Sequence, residues 1–379
     1  MLSVTLSPRE REVLALLRAQ PMLDAAGLAR SLGTSKGAVA VTLSSLSQKG
    51  EIVGRGYVLR GEPWVVVVGG AAWDIKARSL AAACLHTSNP SVVSRTPGGV
   101  GRNIAEGIAR LGGRVHLVAA VGADAAGREL LARTAEAGVY VDQVVLSPHP
   151  TGSYLAALDA DGELVIGLAD FAATDAMDVE ELARARELLA RADVVVVDGN
   201  IPVPVAAWVL GVAAASGVRV VLEPVSVAKA GRIAPLLVPE RPVFAVTPNV
   251  DELGALVGHP VADSTDDIVA AAGELQQRGV AHVWVSRGAA GSLLAGEREC
   301  VPIAAVPARV TDVTGAGDAM TAGFVHGLLA GEEPAAAARE GHLAAALTVA
   351  SGHTVPPDLG VAFAAALADY PVQPEGARP

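Results

Sequence analysis

Six short runs between Trp64 and Val285 are dominated by apolar residues and do not alternate: Val65–Val68, Val115–Val121, Val194–Val197, Val218–Leu222, Val243–Thr247 and Val283–Val285. A strand with one wet face alternates apolar and polar residues, so these runs need cover on both sides. Helix-period segments that could supply it lie between them, near Gly101–Leu111, Gly127–Ala137, Val179–Arg191, Val205–Ser216 and Ile268–Arg278. Strand and helix alternating in this way predict an α/β fold, a parallel sheet held between two helix layers in a three-layer sandwich. Two more polar stretches, Thr151–Leu158 and Glu163–Ala169, flank Asp159-Ala160-Asp161-Gly162 and predict a hairpin outside that sheet.

The first sixty residues read differently. Ser7-Pro8-Arg9-Glu10 combines an N-cap, a proline at the first helical position and a glutamate that closes a capping box. Further helices are expected near Ala25–Leu32, stopped by Gly33, and from Ser35 to Gln48. Gly50–Leu59 then reads as a two-stranded wing with a glycine turn. Three helices and a wing resemble the winged helix-turn-helix DNA-binding domains. The charge distribution agrees: residues 1–60 carry eight Lys/Arg against four Asp/Glu, while the whole 379-residue chain has net charge −11. Ordinary surface variation is the bland alternative. The expected organisation is a helical module over 1–62, an enzyme-like body over 63–370 and a frayed tail over 371–379.

Although 51% of the residues are hydrophobic, no apolar run is long enough to span a bilayer, and the N-terminus lacks a charged-then-apolar leader pattern. A cytoplasmic protein without membrane contact is expected. Cys84 and Cys300 have no metal-ligand spacing and are expected to be reduced thiols.

The chemistry concentrates in Thr314-Gly315-Ala316-Gly317-Asp318, followed by a helix pattern at Met320, Phe324, Val325, Leu328 and Leu329. A helix N-terminus presents unpaired amides to an anion, and glycine lets backbone approach a ligand closely. Asp318 stands where it could take a proton from an attacking hydroxyl. An anion cradle beside a base equips a chain for phosphoryl transfer to an alcohol. Taken alone, this segment could equally be a tight strand-to-helix connection, with Asp318 a carboxylate on the helix dipole. Upstream, Pro97-Gly98-Gly99-Val100-Gly101-Arg102-Asn103 leads into another amphipathic helix, and Thr247-Pro248-Asn249-Val250-Asp251-Glu252 ends an apolar strand. Asn249 and Glu252 also read as a capped helix start.

These three segments, in this order, resemble the ribokinase-like carbohydrate and nucleoside kinases of the PfkB family over roughly residues 64 to 360. The resemblance implies that Asp318 is the general base and that the amides of Gly315, Ala316 and Gly317 form the anion hole. It implies sugar binding by Asp74, Gly98, Gly99 and Asn103, with Asp170 a further candidate, under a small β lid formed from about 71–96 and 150–172. ATP is expected along Ser286, Arg287, Gly288, Gly291 and Thr314. Mg2+ is expected at Asn249 and Glu252 through water, which suits an ion that sheds few of its waters. A monovalent cation such as K+ is implied near Asp312 and the Ser351-Gly352 loop.

Within the family, Ser88-Asn89-Pro90, Thr96–Ala105, Gly138–Asp142, Ser153-Tyr154-Leu155 and Pro224-Val225-Ser226 are similar to the bacterial pseudouridine kinases. Glu223 departs from them, standing where an aspartate is usual. The implied reaction is 5′-phosphorylation of pseudouridine. Another nucleoside or sugar kinase, or a DNA-binding regulator that senses a nucleoside or sugar, are the alternatives. The lid implies a homodimer. DNA would meet the helix Ser35–Gln48 through Lys36, Thr42, Ser44, Ser45, Ser47 and Gln48, with Lys49, Arg55 and Arg60 on the backbone.

Overall fold

The computed structural model describes residues 6–20, 23–54, 58–59, 63–297 and 299–369. The chain divides into two compact units, Met1–Glu62 and Pro63–Pro379. The expected wing residues Arg55 and Arg60 and the tail 371–379 lie outside the described residues.

In the first unit, helices Pro8–Ala19, Ala25–Ser31 and Lys36–Gln48 precede an antiparallel pair, Ile52–Gly54 with Val58–Leu59. Ser7 caps the first helix in the expected capping box, and Asp24 and Ser35 cap the other two. Val13, Leu17, Leu28, Val39 and Leu46 fill the small core. Glu10 does more than cap. Its carboxylate also accepts from the Ser45 hydroxyl (2.7 Å) and the Lys49 ammonium (2.8 Å), clamping the first helix to the third. The bonds from Lys49, Ser45 and Ser7 hold the Glu10 carboxyl down at about 2.

The second unit is built on an eight-stranded sheet. From one edge its order is Cys300–Ile303, Ser292–Ala295, Val280–Ser286, Val243–Val246, Arg219–Glu223, Val194–Asp198, Trp64–Val68 and Arg114–Val118. The last six strands run parallel, and the first two are antiparallel additions. The sheet is therefore mixed, which corrects the expectation of a purely parallel one. Strand pleating sends Val66, Val68, Val195 and Val197 to one core, and Val65, Val67, Val194 and Val196 to the other. Helices Val203–Ser216 and Thr265–Gln277 cover the first face; Val100–Arg110, Ala316–Ala330 and Pro334–Ala350 cover the second.

Two expected elements are broken. The run Val115–Val121 splits at Ala119, and Ala120–Gly122 leaves the main sheet to pair with Val145–Ser147. The stretch Val179–Arg191 becomes two short helices joined by a 3-10 turn at Ala183–Ala185. The lid is a separate sheet of Leu164–Asp170, Ser153–Leu158, Ala72–Ser79 and Ser91–Gly98, in that order. Among the described residues, no helix is long and apolar enough to cross a membrane, and Cys84 and Cys300 are free thiols.

The second core is locked by aromatic packing. Phe324 is fully buried 5.0 Å from the Trp284 ring, whose indole donates to Ser292 Oγ at 2.8 Å. Removing that ring leaves a cavity among fixed neighbours. Phe324→Ala is expected to lose about 3–5 kcal/mol in chemical denaturation, whereas Val361→Ala, 79% exposed, should stay within about 0.5 kcal/mol. Equal losses from the two would contradict this assignment of the core.

Candidate active site

The C-terminal ends of the parallel strands converge on one cleft, as expected for ligand sites in open α/β sheets. Its organising group is Asp198, which closes a strand of four valines and is fully buried. One carboxylate oxygen, Oδ2, accepts from the amides of Gly70 (2.9 Å) and Gly101 (2.7 Å) and from the Asn200 side chain (3.0 Å). Oδ1 accepts from the Asn200 amide (2.9 Å). Asp198 thus joins the loop after the first strand, which leads to Asp74, to the helix start that carries Asn103. Burial pushes its carboxyl up, against the pull of those hydrogen bonds.

Arg102 then fixes the loop from 97 to 103. It is 1% exposed, donates to the carbonyls of Gly98 (3.1 Å) and Pro97 (3.3 Å), and pairs with Glu106. Arg102 also donates to Asn103 Oδ1. Because arginine only donates, the amide oxygen of Asn103 must face it, and the NH2 group turns the other way. That group donates to Asp318 Oδ2 at 2.7 Å. Two residues 215 positions apart in sequence, carried by two separate motifs expected in the site, are in direct contact.

Asp318 lies in the first turn of the helix Ala316–Ala330, whose N-cap is Gly315. Gly315 has φ +83°, and a Cβ there would collide with the Thr354 carbonyl, so no other residue fits. The Ala316 amide turns back to the Val313 carbonyl (3.2 Å). Of the three amides expected in the anion hole, that of Ala316 thus has a partner within its own turn. Burial raises the Asp318 carboxyl to about 7; the Asn103 bond and Arg102 oppose the shift, while Asp198 and Asp74 add to it.

Asp74 sits half-buried on the lid strand, in register with Thr96, and its carboxylate reaches back over Gly98, where a Cβ would collide with it. Burial raises it, with Arg102 and Lys76 pulling the other way. Gly99 closes the same strand-to-helix turn at φ +91°. Asp170 is not drawn into this cluster. It is exposed at the end of the lid strand Leu164–Asp170 and accepts from the Ala172 amide (3.1 Å).

Beyond Asp318 lies a cavity of about 180 Å³ lined by Glu223, Thr247, Asn249, Glu252, Ser286 and Thr321, among others. Asn249 and Glu252 form a reciprocal capping box at the start of the helix Val250–Val257, so the local reading of these two as a helix cap is correct. Both still line the cavity. Burial raises the Glu252 carboxyl. Glu223, 8% exposed, accepts from the Thr247 hydroxyl (2.6 Å) and the Thr321 hydroxyl (3.1 Å). Burial drives it to about 8; the Thr247 bond opposes this, and Glu252 and Asp318 reinforce it. Val225 beside it holds φ +72°, a conformation a β-branched residue rarely adopts. Ser286 pairs with Asn249 as an isolated bridge, and the turn Arg287–Gly291 follows it. The Arg287 guanidinium is directed to Asp263 (2.5 Å). Thr314 donates to Asp312.

Sequence reasoning did not place Asp198, Arg102, Glu223 or Lys76 in the site. Two signals pointed toward them: a charge ending an all-valine strand at Asp198, and the unusual glutamate before Pro224-Val225-Ser226.

The family model described as pfkB family carbohydrate kinase matches residues 64–359. The chain is 34% identical to a pseudouridine kinase of Escherichia coli over 308 residues, 80% of this chain and 96% of that one. It is 33% identical over 354 residues to the E. coli protein described as uncharacterized sugar kinase YeiI, covering 93% and 96%. Among solved structures, Arabidopsis thaliana ribokinase with ribose and ATP superposes with TM-score 0.69 at 24% identity, covering 80% and 99%.

A base with its carboxyl near 7 works only when ionised. The acceptor kcat/KM is expected to fall about tenfold per pH unit below about 7 and to level off above it. Asp318→Asn should cut turnover by roughly 10²-fold or more and abolish that limb. The folded state holds this proton more tightly than the unfolded chain, so the wild type loses stability as pH rises from about 4 through about 7. The variant should show a shallower decline in thermal melts, because the other raised carboxyls, Glu223 among them, keep their own share. A variant with near-normal turnover would remove Asp318 from catalysis.

Proposed function

Because the chain belongs to the pfkB family of carbohydrate kinases, we propose that it transfers the γ-phosphoryl group of ATP to the 5′-hydroxyl of pseudouridine, giving pseudouridine 5′-phosphate and ADP. The observation that carries the reading is the Asn103–Asp318 contact at the mouth of a helix N-terminus. Asp318 takes the hydroxyl proton as the 5′-oxygen attacks phosphorus. The bond from phosphorus to the bridging oxygen breaks toward ADP, and amides at Gly315 and Gly317 meet the charge on the transferring oxygens. Asp74 and Asn103 hold ribose hydroxyls, with Gly98 and Gly99 giving close backbone approach and Asp170 at the lid margin. ATP lies along Ser286, Arg287, Gly288, Gly291 and Thr314. Mg2+ fits the donor set at Asn249 and Glu252, beside which burial raises the carboxyls of Glu252 and Glu223; when bound, it would neutralise phosphate charge.

A nucleoside acceptor is supported by the similarity to the E. coli pseudouridine kinase along 96% of its length. The equally similar protein described as a sugar kinase keeps a second acceptor class open. A panel of pseudouridine, uridine, adenosine, ribose and fructose with coupled ADP detection separates them. Pseudouridine should give the highest kcat/KM, and preference for a free hexose would overturn the nucleoside assignment.

We further propose a homodimer and a DNA-binding role for residues 1–60. Val92, Val93, Leu164, Ile166 and Leu168 are exposed on the two edge strands of the lid, an arrangement that invites a partner. The helix Lys36–Gln48 exposes Lys36, Ser44, Ser47 and Gln48 along one face, with Val41 71% exposed among them. The expected outcome is a dimer mass by light scattering at micromolar concentration, and a gel shift on the gene's own upstream DNA that weakens steeply from low to high salt. A monomer mass with no shift at either salt, with or without pseudouridine, would refute both.

A further inference from the structure

Asp312 is the residue to which the family resemblance assigns a monovalent cation, and its carboxylate is already surrounded by donors. Oδ1 accepts from the Thr314 amide (2.9 Å) and hydroxyl (2.6 Å). Oδ2 accepts from the ammonium of Lys76 at 2.9 Å, and Lys76 also donates to the Thr314 hydroxyl at 3.3 Å. The Ser351 hydroxyl is turned to the carbonyls of Thr348 (3.0 Å) and His353 (3.1 Å). An alkali cation needs oxygens with free lone pairs and no competing positive charge. Here a fixed ammonium occupies the carboxylate, so the residues present do not fit the cation. Burial works against ionisation of Asp312, yet the Thr314 and Lys76 bonds hold its carboxyl at about 2.

The origin of that ammonium matters. Lys76 lies in the middle of the lid strand Ala72–Ser79, two residues beyond Asp74. Asp312 and Thr314 lead directly into Gly315, the N-cap of the helix that carries Asp318. One charged bond therefore joins the lid to the turn that presents the helix amides.

We propose that Lys76 supplies, from the lid, the positive charge at Asp312 that a monovalent cation would otherwise provide, and that it is a positioning residue for the anion-hole turn. The inference rests on the phosphoryl-transfer reading of the site and is indifferent to which alcohol accepts the group. Activity of the wild type is then independent of K+.

The test compares wild type, Lys76→Met and Lys76→Arg in tetramethylammonium buffer and in KCl at equal ionic strength, with MgATP and the best acceptor of the panel. Wild type should show the same kcat in both salts. Lys76→Met should lose roughly tenfold or more in kcat, as expected when a reacting geometry is loosened, and regain part of it in KCl. Lys76→Arg should keep most of the activity without K+. Thermal unfolding supplies a readout that needs no acceptor: KCl should stabilise Lys76→Met and leave wild type unchanged. A mistaken acceptor would silence the kinetics but not the melts. A wild type that requires K+, a Lys76→Met enzyme with full kcat in tetramethylammonium, or a Lys76→Met protein that K+ neither reactivates nor stabilises would each overturn the proposal.

Discussion

The site depends on one buried carboxylate. Asp198 sits at the end of a central strand, with no exposure to water, and holds the amides of two glycine loops from different parts of the chain. A carboxyl group in that position is tolerated only when its lone pairs are met, and four donors meet them. The contact leaves no space. A Cβ on Gly69 would lie 2.5 Å from Asp198 Oδ2, and one on Gly101 would lie 2.7 Å from Gly69 Cα. The two backbones are drawn together until only glycine fits, and this sets where Asp74 and Asn103 stand relative to Asp318.

Around that anchor the charge is unbalanced. Asp318, Glu223, Glu252 and Asp74 are all held above their ordinary range by burial. Arg102 is the fully buried arginine among them, and its donors are spent on carbonyls, Glu106 and Asn103. The cleft therefore carries more negative demand than it neutralises. A counter-ion brought in with a ligand would relieve that imbalance.

Much of this was legible from the residues alone. The unbroken valine runs declared strands buried on both faces, and the glycine-rich helix starts declared their ligand ends. The capping residues Ser7, Asn249 and Glu252 marked helix beginnings, because capping is written in local side chains. What escaped was non-local. Nothing in Val115–Val121 says that the strand leaves the sheet at Ala119, since the break is set by pairing with Val145–Ser147. The antiparallel edge Ser292–Ile303 is short and reads as loop until a neighbour pairs with it. Asp198 and Lys76 gain their roles from partners 97 to 236 positions away, as do Gly101 and Asp312 on the other side of those bonds.

The lid strand carries a further constraint, on how this lineage can vary. Asp74 and Lys76 are two residues apart on one extended strand, so both emerge from the same face of the lid, one beside Gly98 and the other at Asp312. Inserting or deleting one residue between them would turn one of the pair to the opposite face. The interval between them can change in length only by even steps. Descendants of this chain are thus free to alter what the lid recognises far more readily than how the lid is spaced.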